Sequence, residues 1–182
     1  MKIQNMILMD LIDIEEVSFN KVKKSFENEN DLNTKHGRLV MEVLEATNKN
    51  LDGWVEAKLS KEVLLKTLIL RHQHGELEIS MSKGSTINEA FDKIISFGKE
   101  YHKKCPDCIK IIEKYKKKIT GHIYLAAEKP NNLYGYPKAK YRKGSFIFLD
   151  GLHRLLAGAY QIKENKYNPI KCFVAYRQKT KG

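Results

Sequence analysis

Asp150-Gly151-Leu152-His153-Arg154-Leu155-Leu156-Ala157-Gly158 sets three polar side chains and a glycine between an apolar run and a helix of small residues. That is how a phosphate cradle is built. A helix that begins at Asp150-Gly151 presents unpaired backbone N–H groups and a partial positive charge, so an anion is stabilised at its N-terminus. His153 and Arg154 fall in its first turn, where cations are unfavourable unless something negative lies against them. Arg154 supplies a planar fork suited to phosphate, and Gly151 lets the backbone approach closely. Asp150 is placed to hold a magnesium ion, directly or through water, or to cap the helix. The plainer reading is an Asp cap on a helix with two exposed basic side chains.

Other chemistry-bearing groups are less complete. Cys105-Pro106-Asp107-Cys108, after His102, has the spacing of half a zinc site, and structural zinc needs four ligands, so Cys172 or His122 would have to join. A redox dithiol, or two inert thiols at a helix break, are the alternatives. His72-Gln73-His74 could ligate a metal only on extended backbone and reads more simply as a polar helix terminus. Between Glu128 and Gly144 a long loop interleaves Tyr134, Tyr136 and Tyr141 with Lys138, Lys140 and Arg142, a mixture suited to stacking on bases and pairing with phosphates. Walker-type glycine loops and nucleophile elbows are absent from the sequence.

The elements that must position the motif are legible on both sides of it. Ser145-Phe146-Ile147-Phe148-Leu149 reads as a buried strand, and Leu152, Leu155, Leu156 and Ala159 recur at helical spacing after it. Upstream, a strand is expected over Met6 to Ile14, then a helix with Phe19, Val22 and Phe26 on one face. A second helix carries Leu39, Val40, Val43 and Leu44. Trp54 precedes another expected helix, with Ser60 as N-cap, Leu64, Leu65, Leu68 and Ile69 on its buried face, and Gly75 as its stop. Leu77, Ile79 and Met81 alternate as in a half-buried strand. Thr86-Ile87-Asn88-Glu89 has the spacing of a capping box and predicts a helix with Ile87, Phe91, Ile94, Ile95 and Tyr101 on its buried face. Pro106 then interrupts the pattern before Ile109, Ile112 and Tyr115 resume it.

This arrangement resembles the ParB/sulfiredoxin superfamily, whose members bind a nucleotide where a strand feeds a helix through a His-Arg or Arg-Arg motif. Leu152 stands where sulfiredoxins carry the attacking cysteine, so the resemblance implies no thiol chemistry. The chain runs only a few residues past Val174, so the helix-turn-helix of chromosome-partitioning members is not expected. Asp150 to Arg154 reproduces the Asp-Gly-x-His-Arg run of the free serine kinase branch. The resemblance extends to Pro169–Val174 as a return strand, to Cys108–Ile119 and His122–Ala126 as a preceding helix and strand, and to Met9–Glu16 as an N-terminal strand. It implies that Glu16, with Glu15 beside it, acts on a substrate hydroxyl.

Length and charge bound the rest. With 182 residues, of which 42% are hydrophobic, the chain can bury roughly two thirds of its unfolded surface without staples. Three cysteines, an odd number, and no secretory leader suggest free thiols in the cytoplasm. A net charge of +11 favours polyanionic partners or phosphate-bearing substrates, although lysine-rich faces are also what solvated helices carry.

The sequence therefore predicts an α+β chain: a single domain over 1–182, with a small mixed β-sheet core of ParB/sulfiredoxin-like type from 1–20 and 107–176, and a helical insertion over about 21–106. The favoured function is an ATP- or ADP-dependent phosphotransferase acting on a small hydroxyl-bearing acceptor. In it Gly151, His153 and Arg154 hold the nucleotide, ATP, ADP or CTP, and Asp150 holds Mg2+. Glu16, Asp150 and His153 are the catalytic candidates. The alternatives are a nucleic-acid-binding or nuclease-like protein that uses Tyr134, Tyr136, Lys138, Lys140 and Arg142 against a phosphate backbone, and a non-catalytic nucleotide-responsive switch. A membrane partner is not expected, and the oligomeric state is open.

Overall fold

The computed structural model describes residues 8–69, 72–74, 77–80, 84–128 and 145–178. A 3-10 turn (Leu8–Asp10) leads into β1 (Leu11–Val17), followed by α1 (Phe19–Glu29), α2 (Lys35–Asn50), β2 (Gly53–Leu59), α3 (Lys61–Lys66) and the short β3 (Leu68–Ile69). β4 (His72–His74) and β5 (Leu77–Ser80) form a separate two-stranded sheet. β6 (Ser85–Thr86) opens into α4 (Ile87–Phe97), α5 (Lys99–Lys104) and α6 (Pro106–Lys117). The chain continues through β7 (Ile123–Ala126), β8 (Ile147–Asp150), α7 (Leu152–Lys163) and β9 (Ile170–Tyr176). None of the helices described is long and apolar enough to cross a membrane.

The fold is mixed α/β. Among the described residues a seven-stranded sheet runs in the order β1-β2-β9-β7-β8-β3-β6. β9 is antiparallel to β2 and parallel to β7, and β7 is antiparallel to β8, so Tyr124 near the start of β7 faces Asp150 at the end of β8. Both faces are covered, which explains why the central strands are apolar along their whole length. On β9, Cys172, Val174 and Tyr176 join the core formed with Leu64 of α3, Ile94 of α4, Ile112 of α6 and Leu155 of α7. The alternate residues Phe173 and Ala175 join a second core, with Phe26 of α1 and Leu44 of α2. Period-two alternation thus divides one strand between two cores.

Local chemistry fixes most helix starts. Ser18, Thr34, Ser60 and Thr86 each accept a backbone N–H in the first turn of the following helix. At Thr86 the reciprocal bond is also made: the Thr86 backbone N–H donates to Glu89 Oε2 at 2.8 Å, and Glu89 N–H to Thr86 Oγ1 at 3.1 Å. The capping box is therefore complete. Pro106 sits at the first position of α6, where its missing N–H costs nothing, and so separates α5 from α6.

The structure departs from the sequence reading in one consequential place. The stretch 21–106, expected to be a helical insertion, supplies β2, β3 and β6 to the main sheet, and β2 stands between β1 and β9. Residues 53–59, to which the sequence reading assigns no element, form β2, and the helix expected from the Ser60 cap begins there as α3. Val55, Ala57 and Leu59 pack into one core and alternate with the polar Glu56 and Lys58, while Trp54 packs into the other core. α3 stops at Lys66 instead of reaching Gly75, and His72–His74 is extended rather than a helix end. The first strand is β1 from Leu11, and its register shifts between Ile12 and Glu15 around Asp13, whose φ is +53°. That bulge decides which glutamate faces which side.

Candidate functional site

β8 ends at Asp150 and α7 begins at Leu152, with Gly151 between them as N-cap at φ +101°. This is the left-handed region, where a side chain is strained. A Cβ here would also lie 3.2 Å from Ile123 Cγ1 and 3.3 Å from its Cα. Glycine is therefore required twice over. No side chain caps α7. The Gly151 carbonyl accepts from the N–H groups of Arg154 and Leu155, both at 3.0 Å, which starts the helix tightly at the strand's end. Further along, a Cβ on Gly158 would lie 2.6 Å from Leu64 Cδ1, so a bare backbone here seats α7 close to α3.

A cleft of about 380 Å³ opens against this turn, walled by Asn30, His36, Tyr115, Phe148 and the run Asp150–Arg154. Asp150 is buried, and His36 in the first turn of α2 reaches across to it, Nε2 to Oδ1 3.5 Å. The hydrogen bond to Asp150 raises the His36 imidazole above its ordinary value, against the opposing effect of partial burial. His153 is half-buried at the cleft wall.

Arg154 is 8% exposed, and most of its guanidinium is already committed. Nη1 donates to the His122 carbonyl at 2.9 Å, Nη2 lies 3.5 Å from Glu29 Oε2, and the group sits over the Tyr115 ring at 5.3 Å. Its Nε is buried with no hydrogen-bond partner among the described residues. The expected free phosphate fork is thus a clamped cation whose Nε–H is unpaired among the described residues.

Behind Arg154 runs a chain of acidic and basic side chains that the sequence reading missed. Glu29 accepts from the His122 backbone N–H at 2.9 Å and lies 2.7 Å from His122 Nδ1. His122 Nε2 is 3.3 Å from Glu56 Oε1, and Lys21 Nζ is 2.7 Å from the other Glu56 oxygen. Ser25 Oγ lies 3.1 Å from both Glu29 Oε1 and His122 Nδ1, and the imidazole stacks on Phe173 at 4.4 Å. Burial would push the Glu29 carboxyl up, but hydrogen bonds from the His122 ring and backbone and the Arg154 charge outweigh it and hold the group below the ordinary value. The Lys21 hydrogen bond does the same for Glu56. Gly121 makes the approach geometrically feasible, because a Cβ there would fall 2.9 Å from Arg154 Nη2 and closer still to Glu29 Oε2.

The structure brings Asp150, Gly151, His153 and Arg154 to one cleft and leaves Glu16 apart from it. Glu16 is on β1, with β2, β9 and β7 between that strand and β8. At about 4.8 Å per strand the separation is roughly 19 Å. Its carboxylate lies 3.5 Å from the Tyr176 hydroxyl. Because of the Asp13 bulge it is Glu15, opposite Glu56 and 3.7 Å from Lys21, that stands at the end of the charge chain. Tyr134, Tyr136, Lys138, Lys140 and Arg142 lie outside the described residues. Cys105, Cys108 and Cys172 are free and buried, and burial pushes all three thiols up, away from the reactive thiolate. No three His, Cys, Asp or Glu side chains among the described residues are grouped to hold a metal by themselves.

The sequence pattern of a family of unknown function, DUF6309, matches residues 9–181. The chain belongs to this family. No curated protein and no solved structure matches it. The DUF6309 match takes in β1 and β9 as well as the Asp150–Arg154 turn, so the cleft and the charge chain behind it both lie within the family's span.

Proposed function

We propose that the cleft at the start of α7 binds the phosphates of a nucleoside di- or triphosphate, and that the chain is a phosphotransferase acting on a small hydroxyl-bearing molecule. The observation that carries this reading is the 380 Å³ cleft opening on an α7 N-terminus that no side chain caps, with a buried Asp150 at its edge. Backbone N–H groups, the helix dipole and the Arg154 charge favour an anion there. A lone carboxylate beside that anion would repel it. Mg2+ removes the conflict, since this ion is commonly held by one or two carboxylates together with substrate phosphates. Asp150 is the only acidic residue in the cleft wall among the described residues and fits that role. The β8-turn-α7 arrangement agrees with the ParB/sulfiredoxin resemblance of the sequence.

Phosphoryl transfer needs positioning and electrostatic stabilisation more than covalent chemistry. The bond from the terminal phosphorus to the nucleotide's bridging oxygen breaks, a bond to the acceptor oxygen forms, and the hydroxyl proton must leave. His36 is the group the geometry offers for that proton, oriented by Asp150 as a histidine base is oriented by a carboxylate. Glu16 is too far across the sheet, and Glu29 is already bound by His122, Ser25 and Arg154.

Thermal-shift titration of ATP, ADP and CTP, each with and without Mg2+, tests the reading. A ligand at a hundred times its Kd stabilises by about 2.7 kcal/mol. Mg2+-dependent stabilisation that disappears in Asp150→Asn is the expected result. A protein that responds to none of the nucleotides refutes it.

A further inference from the structure

A second cleft, of about 470 Å³, lies near the end of the sheet where β7 and β9 begin and β8 finishes. Lys117 and Lys118 at the end of α6, Lys171 at the start of β9, Thr120, Gln161 and Asn168 provide its polar wall, with Gly121 and His122 completing one side. None of its lining residues is acidic, and none of the three lysines has an ion-pair partner among the described residues. Lone lysines such as Lys24, Lys61 and Lys110 occur elsewhere among the described residues; these three differ in lining one concavity.

Ordinary helix chemistry explains only part of this. A lysine in the last turn of α6 complements the helix dipole, which accounts for Lys117. It does not account for Lys171, which is on a strand and stands directly opposite Lys58 on β2. Lys58 is paired with Asp13 at 2.6 Å, whereas Lys171 has no carboxylate partner among the described residues. Several ammonium groups around one concavity carry a self-repulsion that a bound anion removes. The walls are also held in place. Tyr167 donates to the Leu59 carbonyl at 2.8 Å and so fixes the loop that carries Asn168, and Gln161 Nε2 donates to the Lys116 carbonyl at 3.1 Å.

The two clefts adjoin the same structure. Gly121 and His122 wall the second, and Arg154, which walls the first, donates to the His122 carbonyl. Gln161 lies about 10 Å beyond Arg154 along α7, at about 1.5 Å per residue. We infer that the second cleft binds the phosphate group of the acceptor, so that the substrate class is a small molecule that already carries a phosphate monoester as well as a free hydroxyl. This deepens the phosphotransferase reading above and rests on it. A single open basic concavity offers room for a compact dianion, whereas a nucleic-acid strand would need an extended track.

Calorimetric titration of inorganic phosphate, of ADP with Mg2+, and of a single-stranded oligonucleotide separates the outcomes. The proteins compared are the wild type and a variant combining Lys117→Ser, Lys118→Ser and Lys171→Ser. All three positions are exposed, so the variant is expected to fold. The expected result is phosphate affinity at least tenfold weaker in the variant, with ADP affinity changed less than twofold. Phosphate bound equally by both proteins, or by neither, overturns the assignment whatever ADP does. An oligonucleotide that binds through these lysines more tightly than phosphate also overturns it, in favour of nucleic acid. Wild type that binds phosphate through the lysines but not ADP upholds the anion cleft and removes the nucleotide reading instead.

Discussion

Truncating Arg154 distinguishes a structural cation from a free ligand-binding one. Arg154→Ala removes the ion pair to Glu29, the hydrogen bond to the His122 carbonyl and the contact with Tyr115, while the Glu29 carboxylate stays in place at 16% exposure. Breaking a buried pair by removing one partner costs about 3–5 kcal/mol. Glu29 keeps the His122 N–H, the His122 ring and the Ser25 hydroxyl, so the loss belongs at the low end, about 3 kcal/mol. For a chain of this length that lowers Tm by about 6–12 °C. Urea unfolding at pH 7 of wild type, Arg154→Ala, Glu29→Gln and the double variant gives the coupling, expected at about 1–2 kcal/mol for groups in contact. The pH dependence has a definite sign. The folded Glu29 carboxyl lies below its unfolded value, so its contribution is complete above about pH 4.5 and fades as pH falls through the folded value. The Arg154→Ala deficit should therefore shrink in acid. A single-variant loss below about 1 kcal/mol, or strict additivity of the two substitutions, refutes the clamp.

Gly151→Ala should destabilise by about 2 kcal/mol or more, because left-handed backbone costs an L-residue about 1–2 kcal/mol and the added methyl crowds Ile123. Denaturant midpoints at constant m-value check this, and a neutral result would mean that the turn relaxes freely. The His36–Asp150 contact works in the opposite pH direction from Glu29. The folded imidazole value is raised above the unfolded one near 6.5, so the contact stabilises fully below that pH and loses its effect as pH rises through the folded value. His36→Ala should then be less stable than wild type at pH 5.5 and equal to it at pH 9. The gap should stay under about 1 kcal/mol, since the His36 side chain is largely exposed. Stability curves that run parallel across this range would contradict the pairing.

What was legible in the sequence is what short-range chemistry determines. The Thr86-x-x-Glu89 box, the Pro106 break and the strand-glycine-helix junction at Gly151 each depend on residues within a few positions of one another, and each occurs as expected. β2 does carry a period-two signal, Val55-Glu56-Ala57-Lys58-Leu59, but it is only five residues long and follows Trp54, which faces the other core. The charge chain fails for another reason. Glu29, Glu56 and His122 come from α1, β2 and the turn before β7, and nothing local marks them as neighbours.

The failure at Glu16 shows how the fold chooses among acidic residues. A resemblance carried along the chain selects the glutamate nearest the end of the first strand. In three dimensions the choice is made by the bulge at Asp13, which turns Glu15 toward Lys21, and by sheet order, which puts three strands between β1 and β8. Sheet order is a property of long-range pairing, and β2 entered the sheet from a segment read as helical, so no local pattern could have excluded Glu16. Asp150 and His36 succeed where Glu16 fails because each is delivered by an element that ends at the cleft: β8 at its last residue and α2 in its first turn. Arg154 is delivered the same way but arrives already held. In the proposed anion cleft its charge would act through an already fixed guanidinium, which lowers the cost of orienting it at the moment of binding.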